Sequence, residues 1–138
     1  MALSLAACGG EQTQEQLLEK AETITLRQIT SNILKNDNSF NKKNYDGKVF
    51  LITECVLSEA DIGSTESGVN RVAFWFEGSN KLTRNNLTFY LNDQEYAKVQ
   101  ELLKTDENVI VSFVGKFETI DDPHHWMKNV YLVQSDMD

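Results

Sequence analysis

Asp121, Asp122, His124 and His125, in the stretch DDPHHW, put two carboxylates and two imidazoles close together, a donor set that can hold a divalent metal ion. Adjacent side chains on an extended chain point apart, so one ion would reach both histidines only across an irregular turn, which Pro123 can supply. The plainer alternative is a solvated turn leading into Trp126, and no metal or other cofactor is expected. Cys55 lies in a strand pattern far along the chain from both histidines. A nucleophilic thiol needs a partnered base, so Cys55 reads as a small buried apolar residue. The glycines of DIGSTESG lack the Lys-Ser/Thr ending of a phosphate loop, and the segment lacks the periodic acids of a calcium loop. No nucleophile, base and orienting acid form a set, and the chain is not expected to be an enzyme.

A different chemistry lies in RVAFWFEG, Arg71 to Gly78, where Phe74, Trp75 and Phe76 stand in a row. Successive strand side chains point to opposite sides of a sheet, so Phe74 and Phe76 share a core only if Trp75 points away from it. What Trp75 faces depends on the elements around it.

At 138 residues, with 41% hydrophobic content and one proline, the chain is sized for a single domain with one core. About Glu15 to Lys35, apolar spacings fit amphipathic helix in two registers, as one bent helix or two short ones. Asn36 to Ser39 reads as a polar breaker, after which NKKNYDGK leads into the sheet with Asp46-Gly47 as turn chemistry. Three strands follow, at 48–57, 69–77 and 86–91, the first two joined by the acidic loop SEADIGSTESG. NDQEYAKVQELLKTDE reads as a helix capped by Asn92 or Asp93, with Tyr96, Val99, Leu102 and Leu103 as its apolar stripe. Two more strands, 108–118 and 126–134, flank TIDDPHH.

Three strands, a helix and two strands is the order of the OB-fold: a mainly β fold, a five-stranded Greek-key barrel with a helix between strands three and four. Here an N-terminal helix precedes it. YDGKVFLITECV, LNDQEYAKVQELLKTDENVIVSFVGKFE and MKNVYLV resemble the tRNA-anti-like OB domain found in many small bacterial lipoproteins. The resemblance covers about Thr25 to Gln134 and rests on structural motifs. Glu54 stands where that pattern often has glycine in strand one, and Val130 where a cysteine is common. The resemblance implies a cell-envelope OB domain of undefined ligand.

In OB-folds ligands cross the face of strands two and three. If Val72, Phe74 and Phe76 line the interior, Ala73 and Trp75 face out. If Leu87, Phe89 and Leu91 line it, Tyr90 faces out from the antiparallel neighbour. The expected ligand face is therefore Arg71, Ala73, Trp75, Thr88 and Tyr90, with two aromatics on which a base, a sugar or a partner's side chain could stack. The N-terminal helix folding over this face, to make a second small core, is the alternative.

Charge weighs on the choice of partner. Residues 1–44 hold five acids and five bases, so the net charge of -8 falls entirely on residues 45–138. Nucleic-acid affinity comes largely from Lys and Arg displacing counterions from phosphates. Arg71, Lys81 and Arg84 are opposed by Glu77 and the acidic loop, so nucleic acid is an unfavourable partner. A protein or a glycan suits an acidic, aromatic-bearing surface better.

MALSLAACGGEQTQEQ contains Leu-Ala-Ala-Cys, which resembles the lipobox of bacterial lipoproteins. The resemblance implies lipidation of Cys8, with more than one acyl chain giving stable membrane attachment. Residues 1–8 would then be the remnant of a signal peptide, 9–14 a flexible tether, and 15–138 the helix and OB domain. Gly9 lacks the aspartate that commonly retains lipoproteins at an inner membrane. That favours the outer membrane in a two-membrane bacterium and the outer cell surface in a one-membrane organism.

Overall fold

The computed structural model describes residues 12–64, 68–77, 84–121 and 124–133; the side chains of 38, 77, 84, 119–121 and 124 lie outside that description. Cys8, Lys81 and Asp122 fall outside the described residues.

Helix α1 (Gln14–Lys20) opens on a reciprocal capping box: the Gln16 backbone N–H donates to the Thr13 hydroxyl at 3.1 Å, and the Thr13 N–H to Gln16 Oε1 at 2.9 Å. The same device recurs at Thr25 and Gln28, which start α2 (Leu26–Lys35). Between the two helices runs a short strand, β1 (Glu22–Thr25), parallel to β2 (Val49–Ser58). Of the two alternatives for Glu15 to Lys35, two short helices form, parted by a strand that was not expected, because the second capping box restarts the helix only at Leu26. The expected breaker at Asn36–Ser39 does end α2, with Asn36 as its C-cap, but a further helix starts at once. Asp37 accepts the Phe40 N–H at 2.9 Å and caps a third helix, α3 (Asn38–Tyr45).

After β2 a 3₁₀ turn (Glu59–Asp61) leads into β3 (Ile62–Ser64), then β4 (Asn70–Glu77) and β5 (Arg84–Leu91). Helix α4 (Asp93–Thr105), capped by Asn92, precedes β6 (Asn108–Asp121) and β7 (His124–Val133). All five strands expected from the sequence are present, with the helix between the third and fourth. They do not form a closed five-stranded barrel. The described strands make one seven-stranded sheet in the order β1-β2-β6-β7-β5-β4-β3. Two strands are added: β3, formed after the 3₁₀ turn inside the expected acidic loop and paired with β4, and β1, which makes a parallel edge on β2. No ladder joins β2 to β4 among the described residues; the chain itself spans the gap through Glu59–Asp61. The expected loop TIDDPHH shrinks as well, since Thr119–Asp121 and His124–His125 belong to β6 and β7.

The principal core lies inside the curved sheet. Phe74, Phe89 and Phe113 meet edge to face, at 5.6 Å and 5.1 Å between successive ring centroids. Val99, from the stripe of α4, is buried in the same cluster, and Tyr96, Leu102 and Leu103 pack against it. A second, smaller cluster on the outside of the sheet joins Leu17 of α1 to Val49 and Val114.

Two left-handed residues set the curvature. Glu54, with φ +56°, is the extra residue of a bulge between Ile52 and Cys55, where a glycine would be easier to place. Asn129, with φ +52°, sits in a second bulge on β7. Gly115 of β6 accommodates that bulge: a Cβ there would stand 2.7 Å from Val130 Cγ2 and 3.2 Å from the Lys128 carbonyl oxygen.

Candidate ligand groove

The antiparallel ladder between β4 and β5 pairs Arg71 with Tyr90, Ala73 with Thr88 and Trp75 with Asn86. Their neighbours Val72, Phe74, Leu87 and Phe89 are buried, so strand alternation turns this second set outward. Trp75 is 51% exposed. The parallel ladder between β5 and β7 sets Trp126 beside Thr88 on the same face. The Tyr90 and Trp126 rings meet at 5.9 Å between centroids and 67° between planes, making a corner.

These side chains floor a groove of about 360 Å³, walled by the turn and strand from Ala60 to Gly63. Arg71 and Asp61 bring opposite charges to it. The Asp61 carboxylate already accepts from the Ser58 backbone N–H at 2.9 Å and the Ser58 hydroxyl at 3.1 Å. The Thr88 hydroxyl donates to Asn86 Oδ1 at 3.3 Å. Behind the groove, a polar chain pins the strand ends. Ser64 donates to Asn70 Oδ1 at 2.9 Å, and the Asn70 amide donates to Asp93 at 2.8 Å.

All five residues expected on the ligand face, Arg71, Ala73, Trp75, Thr88 and Tyr90, line this one groove. The N-terminal helices pack chiefly on β1, β2 and β6, away from it. Trp126 and Asn86 were not foreseen as part of the site, and Asp61 comes from the acidic loop expected to flank it. Trp126 could have been found from its own strand: His125 and Met127 are buried, so the residue between them faces out, and a parallel neighbour of β5 carries it onto the same face.

A second pocket of about 330 Å³ adjoins the first, lined by Tyr90, Asn92, Lys128, Asn129 and Tyr131 among others. Tyr90 lines both.

Of the four residues weighed for metal binding, the structure describes the side chain of His125. His125 is fully buried, its Nε2 3.3 Å from Asn85 Oδ1 and its ring stacked on Phe76 at 6.2 Å. Asp122 and the side chains of Asp121 and His124 lie outside the described residues. Among the described residues no three His, Cys, Asp or Glu side chains are grouped to hold an ion. Cys55 is buried, and desolvation pushes its thiol up to about 12. A thiol so placed stays protonated at neutral pH and makes a poor nucleophile.

No protein-family model and no curated protein matches the chain. Among solved structures, the chain is similar in fold to a protein from Klebsiella pneumoniae subsp. pneumoniae described as a "putative nucleic acid-binding lipoprotein". The TM-score is 0.60 at 18% identity, over 89% of this chain and 100% of the other.

Proposed function

We propose that this chain is a non-enzymatic binding module of the cell envelope, anchored by lipid at Cys8, that holds a protein or glycan segment in the groove of Trp75, Tyr90 and Trp126. The observation that carries the reading is the groove itself: three outward aromatic rings on adjacent strands, lined among the described residues by one cation and one carboxylate. Aromatic faces reward contact with apolar surfaces, while near-balanced charge gives no special hold on a polyanion. The fold likeness to a protein described as a lipoprotein supports the envelope address, as does Leu-Ala-Ala-Cys at the N-terminus. Among the described residues no helix is long and apolar enough to cross a membrane, so the lipid at Cys8 is the proposed attachment.

The test is photo-crosslinking in cells from the full lipoprotein, with the crosslinker at position 75 or 126 and a control at the exposed position Ile110 on the outer side of β6. A discrete adduct from 75 and 126, absent from 110, is expected. Equal labelling from all three positions, or none from the groove, removes the reading.

A second reading is a short single-stranded nucleic acid in the same groove. It is favoured by the description of the structural neighbour and by the three rings, which could stack on bases. The net charge of -8 opposes it. Titrating the chain with oligothymidylate at low salt, followed by tryptophan fluorescence, is expected to give no change. Binding that weakens with added salt and is lost in Arg71→Ala would favour this reading instead.

A further inference from the structure

The groove and the pocket beside it lie in succession along the β5/β7 ladder, which runs from Asn86 opposite His124 to Leu91 opposite Val130. At about 3.3 Å per residue the stretch from Asn86 to Asn92 extends roughly 20 Å. Tyr90 stands between the two spaces and contributes to both. A compact ligand would fill one of them; only an extended chain would use both.

We propose that the two spaces are subsites of one oligosaccharide site, with successive sugar rings seated on either side of Tyr90. This rests on the reading that the face binds a ligand. Each subsite offers aromatic surface for the apolar C–H face of a sugar ring: Trp75 and Trp126 in the first, Tyr131 in the second. Each also offers side chains that can donate or accept: Asn86 and Thr88 in the first, Asn92 and Asn129 in the second. Sugar hydroxyls both donate and accept, so amides and hydroxyls match them in a way a row of cations would not.

Electrostatics separates this ligand from a nucleic acid. Among the described residues each subsite has one cation, and an acid lines or touches the same subsite. Arg71 shares its groove with Asp61, and the Lys128 ammonium lies 3.6 Å from a Glu118 carboxylate oxygen. Little positive field is left over for a run of phosphates. The 67° corner of Tyr90 and Trp126 also lacks the parallel faces between which a flat base would be held.

The second subsite exists because β7 is irregular. Trp126 and Lys128 face out in the ordinary alternation, but Asn129 is left-handed, Val130 is buried, and Tyr131 faces out again. The bulge changes the phase of the strand within the binding face, as bulges beside functional sites do. Gly115 lets that geometry form.

The test is titration of the full chain with cello-, xylo- and chito-oligosaccharides from monomer to hexamer, and with oligothymidylate, read by tryptophan fluorescence. In at least one saccharide series affinity rises tenfold or more with length and then levels off. Lys128→Ala, a surface change that leaves the fold alone, and Tyr131→Leu, checked by its melting curve, each erase several-fold of that gain while sparing the shortest binder. Trp126→Ala weakens all lengths. Three outcomes overturn the inference: no response to any saccharide, affinity independent of length, or oligothymidylate binding more tightly than every saccharide. If saccharides fail while the crosslinker at position 75 still captures a partner, the subsites fall and the binding face stands; if both fail, both fall.

Discussion

Glu54 holds φ at +56° in the middle of β2, in a conformation that costs an ordinary residue about 1–2 kcal/mol. The reason is phase. Ile52 pairs with Phe113 and Cys55 with Val111, so one extra residue on β2 lets Cys55 and Leu57 face the core after Ile52 does. Without it, alternation would bring Glu54 inward and send Leu57 out. Glycine relieves the left-handed strain but loses about 0.5–1 kcal/mol in conformational entropy, so Glu54→Gly should be neutral or stabilise by up to about 1 kcal/mol. Glu54→Val should destabilise by more than about 1 kcal/mol, although valine is favoured on ordinary strands, because a β-branched residue tolerates positive φ poorly. Urea midpoints of the two variants check this. A valine variant as stable as the parent would mean that Glu54 is not left-handed.

Helix α4 is tied to the sheet by a buried carboxylate as well as by its apolar stripe. Glu95 accepts the Leu132 backbone N–H at 2.8 Å through one oxygen and meets the Lys98 ammonium at 2.9 Å through the other. Glu95→Ala should cost about 2–3 kcal/mol, because a buried strand N–H loses a charged acceptor. Glu95→Gln, which keeps an oxygen acceptor, should cost less. Denaturant curves rank the variants, and hydrogen exchange at Leu132 reports the bond itself; unchanged exchange in Glu95→Ala would sink the assignment. In the sequence Glu95 is one of two acids in the first turn of the helix, and nothing there points to the strand that receives it, 37 residues away. The same limit hid β1. Its Thr-Ile-Thr is β-prone, but its pairing with β2 is decided by tertiary contact, and the helical spacings on either side masked it. Helix α3 was hidden differently, because Asp37 and its asparagine neighbours read equally well as a turn or as the start of a helix. The alternation of β4 and β5 was legible because each strand carries large apolar residues at every second place, which fixed the outward set from Arg71 to Tyr90. Trp126 was missed although it opens an expected strand, because its place on the binding face depends on a parallel pairing of that strand with β5, a tertiary contact.

Across the described residues, helix α1, which leads toward the proposed anchor, and the proposed ligand groove rest on separate cores. Leu17, fully buried, holds α1 against Val49 and Val114, and the Tyr131 hydroxyl donates to the Gln12 carbonyl at 2.8 Å at the start of that helix. The proposed groove of Trp75 and Trp126 rests instead on the Phe74, Phe89 and Phe113 cluster inside the sheet, while Tyr131, which also lines the second pocket, links that pocket to α1. Leu17→Ala removes the centre of the smaller cluster, a change that costs about 2–5 kcal/mol where the side chain is fully buried. Few other buried contacts hold α1, so the loss should appear as local opening. Amides of Leu17 to Lys20 should exchange at least tenfold faster, those at the centres of β6 and β7 should keep their protection, and fluorescence from Trp75 and Trp126 should be unchanged. A uniform loss of protection across β6 and β7 would show one cooperative unit. That result would couple tension on the proposed lipid anchor to the groove, whereas local opening would let the N-terminal helix loosen while the groove of Trp75 and Trp126 stays intact.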